Sequence, residues 1–332
     1  MLRTFVAAAI ALSAGIGAAW GQDAARSDAG RDWPNRPVTM VVPFAAGGAV
    51  DVLGRVLAAR LGEILGQQII IENAPGAGGM TGTNRVAKAA PDGYQFVLGS
   101  VGTHAQNQSL YKKPIYNAAT EFEHVIVVAE LPLILVTRKD LPVRGLDDFI
   151  AFAKANQSSM QYGSAGTGSA VHLGCVMLNA AIGINVTHIP YRGGGPAMQD
   201  LIAGRIDYTC NIISTVLPQV KEGLVHAVAN LGLNRSPLLP DFATAREQGL
   251  DFNGSTWNIL SLPKGTPQPI VQRLNAAASE AMDSPATRQR LLALGLDIPA
   301  PERRSAAYAN QFVADEIARW AGPIKSSGVS AD

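Results

Sequence analysis

The residues with chemistry to offer lie in two glycine-bearing loops. The first is Pro43-Phe44-Ala45-Ala46-Gly47-Gly48-Ala49, and the second is Gly163-Ser164-Ala165-Gly166-Thr167-Gly168-Ser169. Neither contains lysine or arginine, yet each leads into a stretch with helical periodicity. Backbone N–H groups at a helix start have no intrahelical partner and carry partial positive charge. Small residues let an anion approach them. We read Phe44, Ala46, Gly47, Gly48 and Ala49 as one grip on a carboxylate, and Ser164, Ala165, Thr167, Gly168 and Ser169 as the second, with the serines as hydroxyl donors. Asp51 joins the first group mainly as a helix-start acid that favours the dipole and keeps the loop in shape; it can pair with Arg55.

Other chemistries find no support. Neither loop contains G-x-S-x-G, and no base for Ser164 or Ser169 is identifiable in the sequence. Asn73–Gly79 resembles a phosphate loop but lacks both Gly-Lys-Ser/Thr and G-x-G-x-x-G. Cys175 and Cys210, with His172 nearby, do not complete a zinc set. No enzyme activity, metal or cofactor is therefore expected. His172, in the first turn of the second helix, reads as a buried neutral histidine bonding backbone. Ser100–Ser109 is polar and follows a strand, where open α/β sheets bind ligands, so Thr103 and His104 are further candidates; for His104 a packing or capping role stands equally open. Asn211 ends another strand and is the last candidate. Arg192 reads as a rim residue rather than a bidentate partner of a carboxylate.

The elements that would position these residues alternate between strand and helix. Val38–Val42 is an apolar run suited to a strand buried on both faces. Val50, Leu53, Leu57, Leu61 and Ile64 recur at helical spacing until Gly66. Strands follow at Gln68–Glu72 and Gln95–Gly99, with a helix over Thr81–Ala89 between them. Glu123–Ala129 and Leu133–Thr137, separated by Leu131-Pro132, read as a strand that leaves one domain for another. Strands at Gln161–Ser164, Thr187–Tyr191, Ile206–Cys210 and Val225–Leu231 build the second domain, with a helix over Ala197–Ala203. Asn253–Trp257 returns the chain to the first domain, where Ile259–Leu262 is a strand. Three helices follow, the last from about Ser305 to Trp320. GAVDVLG (48–54) aligns with SAVHLG (169–174) when one residue is skipped, which suggests two related units facing each other.

The chain has 332 residues, 47 % of them apolar, and a formal net charge of +1. That length suits two domains, and the near-neutral balance argues against nucleic acid as a partner. Arg3, the apolar run Phe5–Ala19 and the small residues before Gln22 form a signal peptide cleaved near Gly21. The expected organisation is 1–21 signal peptide, 22–32 lead-in, 33–130 with 253–332 as the first domain, and 131–252 as the second. For Cys175 and Cys210, each in an apolar segment, two buried free thiols are expected rather than a disulfide.

PFAAGGAVDV (43–52), ENAPGAGG (72–79), APDGY (90–94), GTHAQNQSLYKK (102–113), YGSAGTGSAVHL (162–173), HIPYRGGGPAMQDLIAGRID (188–207) and STWNILSLPKGTP (255–267) occur in order. Together they resemble the Bug family, the TctC-type periplasmic solute-binding proteins of tripartite tricarboxylate transporters, over essentially the whole mature chain. The resemblance implies an α/β, type II periplasmic-binding-protein fold: two α/β domains joined by two hinge strands, closing on a small carboxylate. It implies a periplasmic protein, acting as a monomer, whose partners are one large and one small membrane subunit. It also implies that the loops at Phe44–Ala49 and Ser164–Ser169 grip the ligand. A sensor that presents a carboxylate to a membrane receptor would share the fold and stays open beside transport. Where the family usually has Phe-Asp-Asn, this chain has Cys210-Asn211-Ile212, which points away from amino acids and towards a di- or tricarboxylate or an aromatic acid. The departure at Pro263 should not affect the ligand.

Overall fold

The computed structural model describes residues 32–191 and 193–331. The expected signal peptide, nearly all of the lead-in, and Arg192 lie outside the described residues. Two five-stranded sheets organise the chain. The first holds β1 (Val38–Val42), β2 (Ile69–Asn73), β3 (Gln95–Ser100), β4 (Phe122–Leu131) and β10 (Thr256–Pro263) in the order β2-β1-β3-β10-β4. The second holds β5 (Leu133–Arg138), β6 (Gln161–Ser164), β7 (Thr187–Pro190), β8 (Tyr208–Ile212) and β9 (Val225–Asn230) in the order β7-β6-β8-β5-β9.

The two orders are the same pattern. In each, a central strand pairs in parallel with both neighbours: β1 with β2 and β3, β6 with β7 and β8. In each, the fourth position is an antiparallel strand that arrives from the other unit, β10 against β3 and β4, β5 against β8 and β9. The chain thus crosses twice, once at Pro132 between β4 and β5 and once between β9 and β10. All eight residues of β10 are buried, as expected of a strand with neighbours and helices on every side.

Helices cover the sheets. In the first unit these are α1 (Ala49–Leu65), α2 (Met80–Ala87), the short α3 (Asn107–Leu110), α8 (Gln268–Asp283), α9 (Pro285–Ala293) and α10 (Ala306–Ser327). In the second they are α4 (Leu146–Asn156), α5 (Ala170–Ile182), α6 (Gly194–Ile202) and α7 (Ile213–Lys221). α1 presents Leu53, Leu57 and Leu61 to Met40, Val42 and Leu98, and Gly54 allows that approach: a Cβ there would lie 3.2 Å from Leu98. α10 joins the units, because Ala309, Val313, Trp320 and Ile324 share a cluster with Val101 and Ala105 of the first and Leu173 of the second.

Several expectations change here. α6 begins at Gly194, three residues before the expected start, and α10 continues through Pro323 to Ser327. α7 occupies a stretch to which no element is assigned above, although Ile213, Val216, Leu217 and Val220 recur at helical spacing. Ser100–Ser109 is not a polar loop: Gly102–Gln106 forms a π-helical turn that runs into α3. Cys175 and Cys210 are a disulfide, with Cα atoms 5.3 Å apart, rather than two free thiols. Both are buried as expected, but Gly174 lets α5 close onto the second sheet, where an added Cβ would lie 2.2 Å from Leu133 Cδ1 and 3.8 Å from Cys210 Cβ, and the two sulfurs meet.

Candidate functional site

The first loop ends β1 and starts α1. Ala45 to Ala49 are exposed, Phe44 is half-buried, and Gly47 adopts φ +79°, a left-handed value that favours glycine. The Gly48 cap position supplies no side-chain partner to the first N–H groups of α1, which leaves them for a ligand. Asp51 is 2 % exposed. Its Oδ2 accepts from Gly47 N (2.8 Å) and Arg55 Nε (2.9 Å), and its Oδ1 from Arg55 Nη2 (3.0 Å) and Asn73 Nδ2 (2.9 Å). Asn73 also donates to Phe44 O at 3.0 Å. Burial opposes the charge on Asp51, but Arg55, Gly47 and Asn73 outweigh it and hold the carboxyl below its usual value. Asp51 is therefore corrected from candidate contact to positioning residue, since its oxygens are saturated by four donors. Gly47 N–H is likewise engaged by Asp51 rather than open to a ligand.

The second loop ends β6 and starts α5. Thr167 is exposed at its tip and Ala165 is half-buried, while Ser164 and Gly168 are buried. Ser164 Oγ accepts from Gly166 N (3.1 Å), donates to Gly166 O (3.2 Å) and meets His188 Nε2 at 2.7 Å. Gly168 N donates to His172 Nδ1 at 3.1 Å, which places the His172 proton on Nε2. Ser169 Oγ caps α5 by accepting from His172 N at 3.2 Å and keeps its own proton available to an anion. His172 and His188 stack with ring centroids 3.9 Å apart, and Tyr162 stacks on His188 at 4.9 Å. Burial, with His188 adding to it, lowers His172 to about 3; burial alone lowers His188 to about 4.

Two expectations about this loop change. Ser164 does have a histidine at hydrogen-bond distance. The pair is not a nucleophile and base, because Ser164 is fully buried with its hydroxyl spent within the loop, and among the described residues no carboxylate orients His188. For the same reason Ser164 is a positioning residue rather than a donor to an anion. His172, by contrast, does what its place in the sequence suggests and bonds backbone.

Both loops rest on the segment Gly102–Leu110. Phe44 of the first reaches it through Gly79, where an added Cβ would lie 3.2 Å from Phe44 Cζ and 2.6 Å from Thr103 Cγ2. The second meets it at Gly168, where an added Cβ would lie 2.6 Å from Leu110. Thr103 and His104, however, point inward. Thr103 Oγ1 bonds Ser100 N at 2.9 Å and His104 Nδ1 at 2.9 Å, and both residues are fully buried. The His104 ring packs against Phe122 and His124, and burial, together with His124, holds it well below its usual pKa. These two are corrected to core residues, because the π-helical turn sets Thr103 Oγ1 on Ser100 and His104 and packs the His104 ring on Phe122. Asn211 is corrected as well: its Oδ1 accepts from Ile212 N at 2.9 Å and its Nδ2 donates to Gly194 O at 3.3 Å, clipping the start of α6. Sequence reading missed His188 and Gln106. His188 is opposite Tyr162 in the β6–β7 register, a pairing no sequence motif signals.

Two cavities lie elsewhere. One of about 540 Å³ is lined by Arg36, Thr39, Asn84, Arg85 and Lys88 at the amino ends of β1 and β3. Another of about 270 Å³ lies at the crossovers, lined by Glu130, Pro132, Asn253, Trp257 and Arg319. In open α/β sheets ligands bind at the carboxyl ends of strands, and it is the two loops that occupy those ends here. Among the described residues no cluster of three or more His, Cys, Asp and Glu could hold a metal, and no helix is long and apolar enough to cross a membrane.

Comparison with known proteins gives concordant results. The family profile described as tripartite tricarboxylate transporter family receptor (TctC) matches residues 53–329. Protein BugT of Bordetella pertussis is 36 % identical over 298 residues, covering 89 % of this chain and 90 % of its own. MatC from Rhodopseudomonas palustris, solved with bound malate, is 40 % identical with a TM-score of 0.80, covering 88 % of this chain and 100 % of its own. Another R. palustris protein, solved with adipate, is 34 % identical with a TM-score of 0.82, covering 90 % and 99 %.

Proposed function

This chain belongs to the TctC family, the receptors of tripartite tricarboxylate transporters, and from that premise we propose that it captures a small dicarboxylate between its two loops and hands it to the membrane part of such a transporter. Members of the family are periplasmic solute-binding proteins, not enzymes, and capture and release of the ligand make and break no covalent bond. The observation that carries the reading is the pair of equivalent loop–helix starts, one at the carboxyl end of each central strand. The uncapped first turn of α1 receives one carboxylate, with Ala46, Gly48 and Ala49 around it. The loop from Ala165 to Ser169 receives the other, through backbone N–H groups and the hydroxyls of Thr167 and Ser169. The malate and adipate held by relatives are both dicarboxylates and fit two grips.

Charge-assisted hydrogen bonds contribute roughly 1.5–3 kcal/mol each. A few of these, set against the cost of immobilising ligand and hinge, correspond to a micromolar dissociation constant, about −8 kcal/mol. Closure moves one sheet unit against the other about the two crossovers, 131–133 and 231–255, and the closed form is what the large and small membrane subunits recognise. The protein acts as a monomer after cleavage near Gly21.

Isothermal titration of the purified protein with mono-, di- and tricarboxylates tests this reading. Dicarboxylates should bind, and Gly48→Asp, which sets a negative charge at the start of α1, should weaken them at least ~10-fold. Absence of binding by any carboxylate, or unchanged affinity in Gly48→Asp, would sink it.

A further inference from the structure

Gln106 is fully buried, yet neither its Nε2 nor its Oε1 has a hydrogen-bond partner. We propose that Gln106 is a specificity residue that reads a hydroxyl adjacent to a carboxylate, so that the site prefers a hydroxylated dicarboxylate; this rests on the carboxylate-capture reading above. The position of the side chain is the first support. Gln106 and Gly102 sit at the two ends of the π-helical turn, on one side of it. A Cβ placed on Gly102 would be 3.4 Å from Ser100 Oγ, 3.7 Å from Gly168 O and 3.8 Å from Gln106 Oε1. The amide therefore ends at the seam where the second loop meets the first unit. The other sides of the turn are taken: Thr103 Oγ1 bonds Ser100 and His104, the His104 ring packs on Phe122, and Val101 and Ala105 share a cluster with α10. Asn107 Oδ1, also buried without a partner, adjoins the same loop, 3.8 Å from the Cβ position of Gly168.

The chemistry of the amide is the second support. Buried polar groups in folded proteins are almost always paired, because an unpaired one forfeits its hydration. A primary amide presents one donor and one acceptor side by side, whichever way it is turned. A bare carboxylate matches only the donor and sets an oxygen against Oε1. An ammonium group matches only the acceptor. A hydroxyl next to a carboxylate supplies one donor and one acceptor, and so satisfies both ends of Gln106. Being uncharged, Gln106 adds selectivity while the backbone N–H groups of the two loops hold the charge.

Titration calorimetry with succinate and with malate, which differ by one hydroxyl, reads this directly. Wild-type protein should bind malate at least ~10-fold more tightly than succinate, because succinate leaves Oε1 unpaired. In Gln106→Leu the ratio should fall to about one, with succinate affinity kept within roughly threefold of wild type. A wild-type ratio near one overturns the assignment without any variant, so the test stands even if Gln106→Leu fails to fold. A ratio that survives in Gln106→Leu, or an equal loss for both ligands, also overturns it and leaves carboxylate capture intact. If wild-type protein binds no carboxylate at all, the capture reading itself fails, and the role of Gln106 with it.

Discussion

The two loops end equivalent strands and start equivalent helices, but they are pinned by opposite chemistry. The first hangs on a charge: Asp51 gathers Gly47 N–H, the Asn73 amide and the Arg55 guanidinium. The second hangs on neutral rings: His172 takes Gly168 N–H, and His188, stacked on it, meets Ser164 Oγ. Exposure explains the difference. The Arg55 side chain is 56 % exposed and stays hydrated, so the ion pair that fixes the first loop needs only one desolvated partner. Ser164 and His172 are buried in the second unit, where a charge would be costly and neutral imidazole can accept an N–H without it. The second unit alone carries a disulfide, joining the helix that begins at this loop to the strand beside it.

The largest expected effect comes from removing that covalent difference. Cys175 and Cys210 are 35 residues apart, and replacing both with serine should destabilise the protein by about 4 kcal/mol. Hydrogen exchange should then show α5 opening before α1; equal loss of protection in both helices would mean that the disulfide does not distinguish the two units. Next in size is Asp51→Ala, which strips four donors of their acceptor and should cost about 2–3 kcal/mol by chemical denaturation, with Asp51→Asn recovering part of it. No change in stability would show that the first loop holds its shape without the carboxylate.

The smallest effect is the most discriminating. His172 and His188 titrate near 3 and 4, below the free histidine value of 6.5. The stability they contribute is complete above pH 6.5 and is lost as pH falls towards 3. Asp51 is held below its reference of 3.8, so its contribution is complete above that value and is lost only below its own lowered pKa. Between pH 6.5 and 3.8 acid should therefore erode stability through the two histidines and not through Asp51. Denaturation midpoints measured from pH 7 to 4 would show this fall, and a fall that Asp51→Asn removes would erase the distinction between the loops.

Much of the fold was legible because strands buried on both faces leave continuous apolar runs, as at Val38–Val42, and because the two loop–helix starts repeat a short pattern. The pins were legible in part: Asp51 reads as keeping its loop in shape and His172 as bonding backbone, but their partners Asn73 and Gly168 carry no sequence signal. His104 and Asn211 occupy strand ends, where a polar residue looks available, but their side chains turn into the protein to bond or pack against it. Ser164 found its partner on β7, 24 residues away, through sheet register alone. Gln106 gave no signal, since only the π-helical turn, not the spacing of residues, brings it to the seam. The disulfide was missed because the approach of α5 to the second sheet depends on Gly174, where a Cβ would lie 2.2 Å from Leu133 Cδ1, and a glycine in a helix does not announce what packs against it.

The strand order has a consequence for how such a chain becomes a protein. Every strand of the second sheet lies between Leu133 and Asn230, so that sheet can be completed from one contiguous stretch. The first cannot. Its fourth position, between β3 and β4, belongs to β10, which lies more than a hundred residues beyond either neighbour. A chain that emerges amino end first therefore carries β3 and β4 as two open edges until Thr256–Pro263 arrives to close them. The inserted sheet can therefore close before the host sheet, which waits on a single late strand.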